Sequence, residues 1–273
     1  MLNVLDGIDH EFIESQGFIG RKEALRRIKR WNTPVVGPPY YSHDLEMHGT
    51  ELLYLIEELT PVILSALPSF DLERARVLAL VHDDPETESE RGDVVFSVKL
   101  NMSDDEKRIL EAEEEKAIGT LGKKWPSKVA GFDYVGLLHE AKNKQTVESQ
   151  LLSYLDKYSA LCESLHELFA GNSAFHKGWQ TERNRPPVAG TNMADLISKY
   201  TLIAPFFQTG HAVVAPYQKP DVAHFLEVGR PYTKDSILFP TGFKHYDFWK
   251  FTILKRGREE ALRWLTEQRE FAT

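Results

Sequence analysis

Apolar residues recur at helical spacing along most of the chain, and Pro, Gly and short polar residues cut the pattern into segments. Residues 11–31 read as one or two short helices ending in the basic turn Arg26-Arg27-Ile28-Lys29-Arg30-Trp31. The Pro-rich stretch 32–39 breaks any helix, because proline lacks the N–H and constrains the residue before it. A helix is predicted from Ser42, a good N-cap, to Leu59, with Leu45, Leu52, Leu55, Ile56 and Leu59 at helical spacing. Pro61 marks a break or a new first turn. Asp71 caps a predicted helix that runs through Leu72, Ala75 and Leu78 to Val81. Ser103-Asp104-Asp105-Glu106 is a capping box with acids in the first turn, and it opens a charged helix to about Gly119. Gly122, Pro126 and Gly131 punctuate a loop, and residues 133–142 read as a short helix. Thr146-Val147-Glu148 opens a long helix that stops at Gly171-Asn172. Val94–Leu100 reads as a short strand, with little other strand-like alternation up to this point.

The character changes after about Phe175. Residues 183–192 are rich in Pro, Gly and Asn, and a dense run of aromatics follows, including Phe206, Phe207, Tyr217, Phe239 and Trp249. Such density signals packing rather than disorder. A last amphipathic helix is predicted over about Arg258–Glu270. The expected fold is therefore mostly α, in two parts: a helical domain over residues 1–175 and a C-terminal extension over 176–273 of mixed or irregular structure packed on it. The extension is expected to lid a pocket, set specificity or form an oligomer surface.

Charge follows the same division. The 273 residues carry 33 Lys+Arg and 41 Asp+Glu, a formal −8. Residues 176–273 hold 14 basic and 10 acidic side chains, so the first 175 hold 19 and 31 and carry the acidity. A chain of this balance is a poor general binder of phosphate backbones, so no extended nucleic acid is expected as a partner. The single cysteine, Cys162, excludes an internal disulfide and a multi-cysteine zinc site. Acids stand where a signal peptide wants Lys or Arg, and runs such as Leu202–Phe207 are far too short to span a bilayer. A cytoplasmic protein without membrane association is the expectation. If any metal is bound, histidines and carboxylates must hold it.

The pair that carries chemistry is His82-Asp83, at the end of an apolar helix. Adjacent side chains on a regular helix point about 100° apart and rarely share a ligand, but at a helix end the backbone turns enough for both to reach one metal. Imidazole plus carboxylate suits a divalent first-row ion or magnesium. Taken alone, such a pair is more often a plain surface turn. His43, ahead of the preceding apolar stripe, and Asp156, inside the long helix among Leu152, Ser153, Ser159 and Ala160, strengthen the signal. A carboxylate on so apolar a face needs a partner, and a cation is one. A lysine such as Lys157, Lys123 or Lys124 is the bland alternative.

The order His…His-Asp…Asp resembles that of the HD-domain metal-dependent phosphohydrolase superfamily, and the finer resemblance is to its 5′-deoxynucleotidase branch. Arg30-Trp31 precedes the first His, and Ser42-His43-Asp44-Leu45 resembles the branch's Ser-acid-His-x-Leu with the acid missing. Asp71-Leu72-Glu73-Arg74-Ala75 leads into Leu78-Ala79-Leu80-Val81-His82-Asp83, then Asp84-Pro85-Glu86 and Gly92-Asp93. Glu148-Ser149-Gln150-Leu151, Asp156-Lys157 and Glu167-Leu168-Phe169-Ala170-Gly171-Asn172 resemble the branch's final helix. The resemblance covers about residues 12–175.

It implies an HD-type helical bundle in which His43, His82, Asp83 and Asp156 hold one divalent ion (Mn, Co, Mg, Fe or Zn). Glu86 would bind or activate the attacking water, and Asp93 would contact the sugar or act in proton transfer. Arg30 would hold the substrate phosphate, and Trp31 would help enclose the nucleotide. The implied activity is removal of phosphate from nucleoside or deoxynucleoside 5′-monophosphates by metal-activated water. The implied partners are a small nucleotide and a second copy in a homodimer.

Three departures stand beside this. His48, 34 residues before His82, competes for the first ligand position; Ser42, Leu45 and the distance from Arg30-Trp31 favour His43. The loop between Glu86 and Asp93 is slightly long for the branch. The last hundred residues have no counterpart in its compact members. Triphosphate hydrolysis is the enzymatic alternative. A catalytically idle nucleotide-binding regulatory module and a C-terminal interaction module are the others, and the presence of all four ligands and Glu86 counts against the idle module.

Overall fold

The computed structural model describes residues 7–31, 39, 43–92, 94, 98–99, 102–169, 172, 174–175, 196–211 and 213. The predicted helix over 258–270 and most of the predicted strand over 94–100 lie outside them, as does Asp93. The described chain is mostly helical, as its periodicity predicts. It falls into two compact units, one of residues 1–32 and 42–155, the other of residues 33–41 and 156–273. No helix is long and apolar enough to cross a membrane among the described residues.

In the first unit, α1 (His10–Ser15) is capped by Asp9, whose side chain accepts from Phe12 N at 2.7 Å. It is followed by α2 (Arg21–Arg27). A single antiparallel bridge, Lys29 to Asp44, joins the segment after α2 to the start of α3 (Leu45–Ala66). Asp44, not Ser42, caps α3, accepting from Met47 N at 3.0 Å. Nor does α3 stop at Leu59: it carries Pro61 inside it and runs on to Ala66. An interior proline costs about 3 kcal/mol or more. Continuing the helix buries Ile63 completely, beyond Leu59 at 1% exposure, and each such side chain stabilises by roughly 1.5–3 kcal/mol.

Helix α4 (Leu72–Val81) starts at the expected cap, with Asp71 accepting from Arg74 N at 3.0 Å, and packs along α3. A 3-10 turn over Asp84–Glu88 follows. Helix α5 (Asp104–Lys124) opens with the predicted reciprocal capping box of Ser103 and Glu106. It runs a turn past Gly119 because Leu121 is fully buried and because Gly122 is not a stop. A Cβ on Gly122 would lie 2.7 Å from Val135 Cγ2, so the missing side chain sets how closely α5 approaches α6 (Tyr134–Asn143). Between those helices, β1 (Lys128–Val129) and β2 (Phe132–Asp133) form a minimal hairpin. Its two turn residues, Ala130 and Gly131, both have positive φ, which is the tight-turn conformation that keeps two strands paired.

Helix α7 (Val147–Phe169) starts in the first unit, where Ser149 N donates to Thr146 Oγ1 and Thr146 N to Ser149 Oγ, both at 3.1 Å. It ends in the second unit, where Asn172 N donates to Glu167 O at 2.9 Å and closes the helix near the predicted stop. The second unit also contains a 3-10 turn at Thr201–Ile203 and α8 (Ala204–Phe207), with Tyr158, Ile203 and Phe206 fully buried.

Candidate metal centre

The first unit's site is built where α3 meets the end of α4. His82 is the C-cap of α4, still in helical geometry at φ −59°, ψ −30°, while Asp83 turns to φ −94°, ψ 2°. That change of backbone brings two adjacent side chains together, with His82 Nε2 at 3.1 Å from Asp83 Oδ1. From α3, His48 Nε2 lies 3.9 Å from Asp83 Oδ2, and its ring centroid is 5.5 Å from that of His82. The three residues offer donor atoms all within 4.8 Å of one another. Two bonds of about 2.1 Å placed end to end nearly span that distance, so one ion fits among them.

Helix approach makes this grouping feasible. A Cβ on Gly49 would meet Ala79 O at 3.2 Å and His10 Nε2 at 3.1 Å, so α3 lies against α4 with no room for a larger residue beside His48. His48 itself is fully buried, with His82 and Asp83 only 11% and 18% exposed.

The tautomer of His82 is fixed by its neighbours. Its Nδ1 lies 3.1 Å from Ala79 O, a carbonyl that can only accept, so Nδ1 carries the proton. In the neutral ring Nε2 is then a lone pair, and it faces the Asp83 carboxylate without a hydrogen-bond partner. Two such acceptors 3.1 Å apart form a place where a cation would contact both. Histidine ligands ordinarily donate their second ring nitrogen to a carbonyl in this way, which orients the free nitrogen at a metal.

The remaining expected residues are distributed as follows. His43, expected as the first ligand, sits before α3 rather than in it, with Nε2 3.2 Å from Glu51 Oε2 and its ring 6.3 Å from that of His48. The geometry therefore groups His48, not His43, with His82 and Asp83. The register explains why: with Asp44 as cap, position 48 falls on the buried stripe of Leu45 and Leu52. Glu86 lies in the 3-10 turn, three residues after Asp83, and its N–H donates to Asp83 O at 3.0 Å. In that geometry positions three apart eclipse, so Glu86 shares a side with Asp83.

Arg30 is buried at 8% exposure, and its N–H donates to His43 O at 2.9 Å. Trp31 has φ +60°, a left-handed conformation that a bulky side chain rarely adopts and that stores strain. Asp156 lies in α7, within the second unit, half-buried and ion-paired with Lys157.

A second polar cluster, not anticipated from sequence, lies behind the His82-Asp83 turn. Arg21 and Asp84 are both fully buried, with Arg21 Nε at 2.9 and 2.8 Å from the two Asp84 oxygens. Tyr134 Oη donates to Asp84 Oδ2 at 2.8 Å. Arg21 also donates to Leu80 O and, at 2.9 Å, to His10 Nδ1. Burial pushes the Asp84 carboxyl above its ordinary value, opposed by the charge and hydrogen bonds of Arg21. Burial, then the charge on Asp84, pushes the Tyr134 hydroxyl up. No local pattern announces a pair 63 residues apart.

A family model described as 5′-deoxynucleotidase YfbR-like matches residues 17–194 of the chain. No curated protein matches it. Among solved structures, a conserved hypothetical protein from Pyrococcus furiosus is 20% identical over 70% of this chain and 98% of its own, with a TM-score of 0.49.

Proposed function

The chain belongs to the YfbR-like 5′-deoxynucleotidase family, a family of nucleotide hydrolases, and from that premise we propose that it removes phosphate from nucleoside or deoxynucleoside 5′-monophosphates with the help of one divalent metal ion. The observation that carries this reading is His82 Nε2 held 3.1 Å from the Asp83 carboxylate, with His48 beside them. His48, His82 and Asp83 hold the ion. Asp156 enters as a further ligand on its sequence position alone. When bound, a divalent ion lowers the pKa of water and polarises a phosphoryl oxygen.

The chain's own residues do the rest. Glu86, on the same side of the turn as Asp83, accepts a proton from the attacking water. Arg30 holds the phosphate through a planar fork of N–H donors that matches two phosphate oxygens. Trp31, at its strained position beside Arg30, packs against the nucleoside. Asp93, outside the described residues, is assigned to the sugar or to proton transfer at the leaving oxygen.

The test is a phosphate-release screen over 5′-mono- and 5′-triphosphates of ribo- and deoxyribonucleosides, run with Mn, Co, Mg, Fe and Zn. Metal-dependent release from monophosphates, lowered at least 100-fold in His82→Ala, is the expected result. Metal bound with no release from any phosphoester would overturn the hydrolase reading.

A further inference from the structure

We infer that the buried Arg21–Asp84–Tyr134 cluster positions the metal-binding turn, fixing the backbone on both sides of His82-Asp83 and so the direction in which these residues present their donor atoms. The inference rests on the metal reading above and adds residues that touch neither ion nor substrate.

Arg21 grips the turn at its two ends. Its Nη2 donates to Leu80 O, two residues before His82, and its Nε donates to the carboxylate of Asp84, the residue after Asp83, at 2.9 and 2.8 Å, with Nη2 also ion-paired to Asp84 Oδ1 at 2.7 Å. Tyr134 Oη, from α6, adds a donor to the same carboxylate at 2.8 Å. The chain of contacts continues to the third proposed ligand. Arg21 Nη1 is 2.9 Å from His10 Nδ1, and His10 Nε2 donates at 2.9 Å to Glu46 O, two residues before His48 on α3. One hydrogen-bonded path thus runs from the backbone beside His48 to the backbone on either side of His82-Asp83.

Stability alone explains the pair poorly, because taking two charges out of water offsets most of their attraction. What the pair does supply is geometry. Asp84 N-terminates the 3-10 helix that also carries Glu86, and a carboxylate held by a planar guanidinium fork and a phenol has one orientation available. Groups behind metal ligands commonly change metal affinity 10- to 100-fold when altered.

Cobalt(II) bound to the full-length chain is the probe, since its visible spectrum reports ligand arrangement and titration reports affinity. Tyr134→Phe removes one hydroxyl and leaves the ring; Asp84→Asn keeps the shape and removes the charge. Arg74→Gln is the control, because Arg74, in the first turn of α4, pairs with Glu140 of α6 and makes no hydrogen bond to the His82-Asp83 turn among the described residues. The expected result is a several-fold loss of cobalt affinity in Y134F, about 10-fold in D84N, and an altered spectrum in both. R74Q should lose thermal stability with affinity and spectrum unchanged.

Wild-type affinity and spectrum in folded Y134F and D84N would overturn the inference while leaving the metal reading intact. So would an equal loss in R74Q. Should D84N not fold, Y134F decides alone. No cobalt binding by the unsubstituted chain would overturn the metal reading and this inference with it.

Discussion

His10 carries its ring proton on Nε2, since Glu46 O can only accept, and offers its Nδ1 lone pair to Arg21. A second proton would have to displace a guanidinium N–H in a dry site. Burial first, and the charge on Arg21 second, therefore hold the imidazole well below its ordinary value of 6.5. The unfolded chain binds a proton that the folded chain refuses, so stability rises with pH. This contribution is complete above about pH 6.5 and is lost progressively as the pH falls below it. The melting temperature should fall on acidification from pH 7 to 5, and His10→Gln should flatten that limb; an unchanged limb would rule this origin out.

The two candidate histidines separate by a similar comparison. His48→Ala should weaken Mn(II) binding by at least about 10-fold in a calorimetric titration. His43→Ala should instead lower stability by roughly 1–3 kcal/mol, since Glu51 loses a buried partner, with a smaller effect on the metal. Equal losses of affinity would return His43 to the ligand set. The His82-Asp83 pair was legible because its two members are adjacent at the end of an apolar run. The grouping of His48 with them was not, because it depends on which residue caps α3. Motif fit favours Ser42 and His43, whereas with Asp44 as the cap position 48 lies on the buried stripe of Leu45 and Leu52. Arg21 and Asp84 left no local trace at all, since each reads singly as one more surface charge.

At the scale of elements, the caps were the most legible features and the interruptions the least. The Ser103–Glu106 box forms as its spacing predicts, and Ser103→Ala should cost about 1 kcal/mol, measurable by urea unfolding. Pro61 and Gly119 read as stops, yet both lie inside helices, because burial of Ile63 and Leu121 outweighs local preference. Gly122 is the sharper case. Alanine there has the better helix propensity, by about 1 kcal/mol, but its Cβ would lie 2.7 Å from a methyl of Val135, a β-branched and stiff side chain. Overpacking should win, so Gly122→Ala is expected to destabilise by about 1 kcal/mol net. Val135→Ala in the same chain should reverse the sign of the Gly122→Ala effect, since the obstructing methyl is gone; a double-mutant cycle without coupling would place the constraint elsewhere.

For the whole molecule, the proposed ion connects folding to function by mass action. The first 175 residues carry 31 acidic against 19 basic side chains, a field that favours a divalent cation before any specific contact forms. Specific retention depends on His48, His82 and Asp83, which come from two helices and the turn after one of them, and which are gathered only in the folded first unit. An ion that binds the folded chain and not the unfolded one stabilises it by RT ln(1 + [L]/Kd), about 2.7 kcal/mol at a hundredfold excess over Kd. Thermal unfolding of the intact chain should therefore move upward with added Mn(II) and return on chelation. In His82→Ala the shift should be absent although net charge hardly changes, which separates a built site from general attraction to an acidic surface. A shift of equal size in wild type and H82A would assign the effect to that surface. A shift confined to the wild type would place the ion at the turn that Arg21 and Asp84 hold.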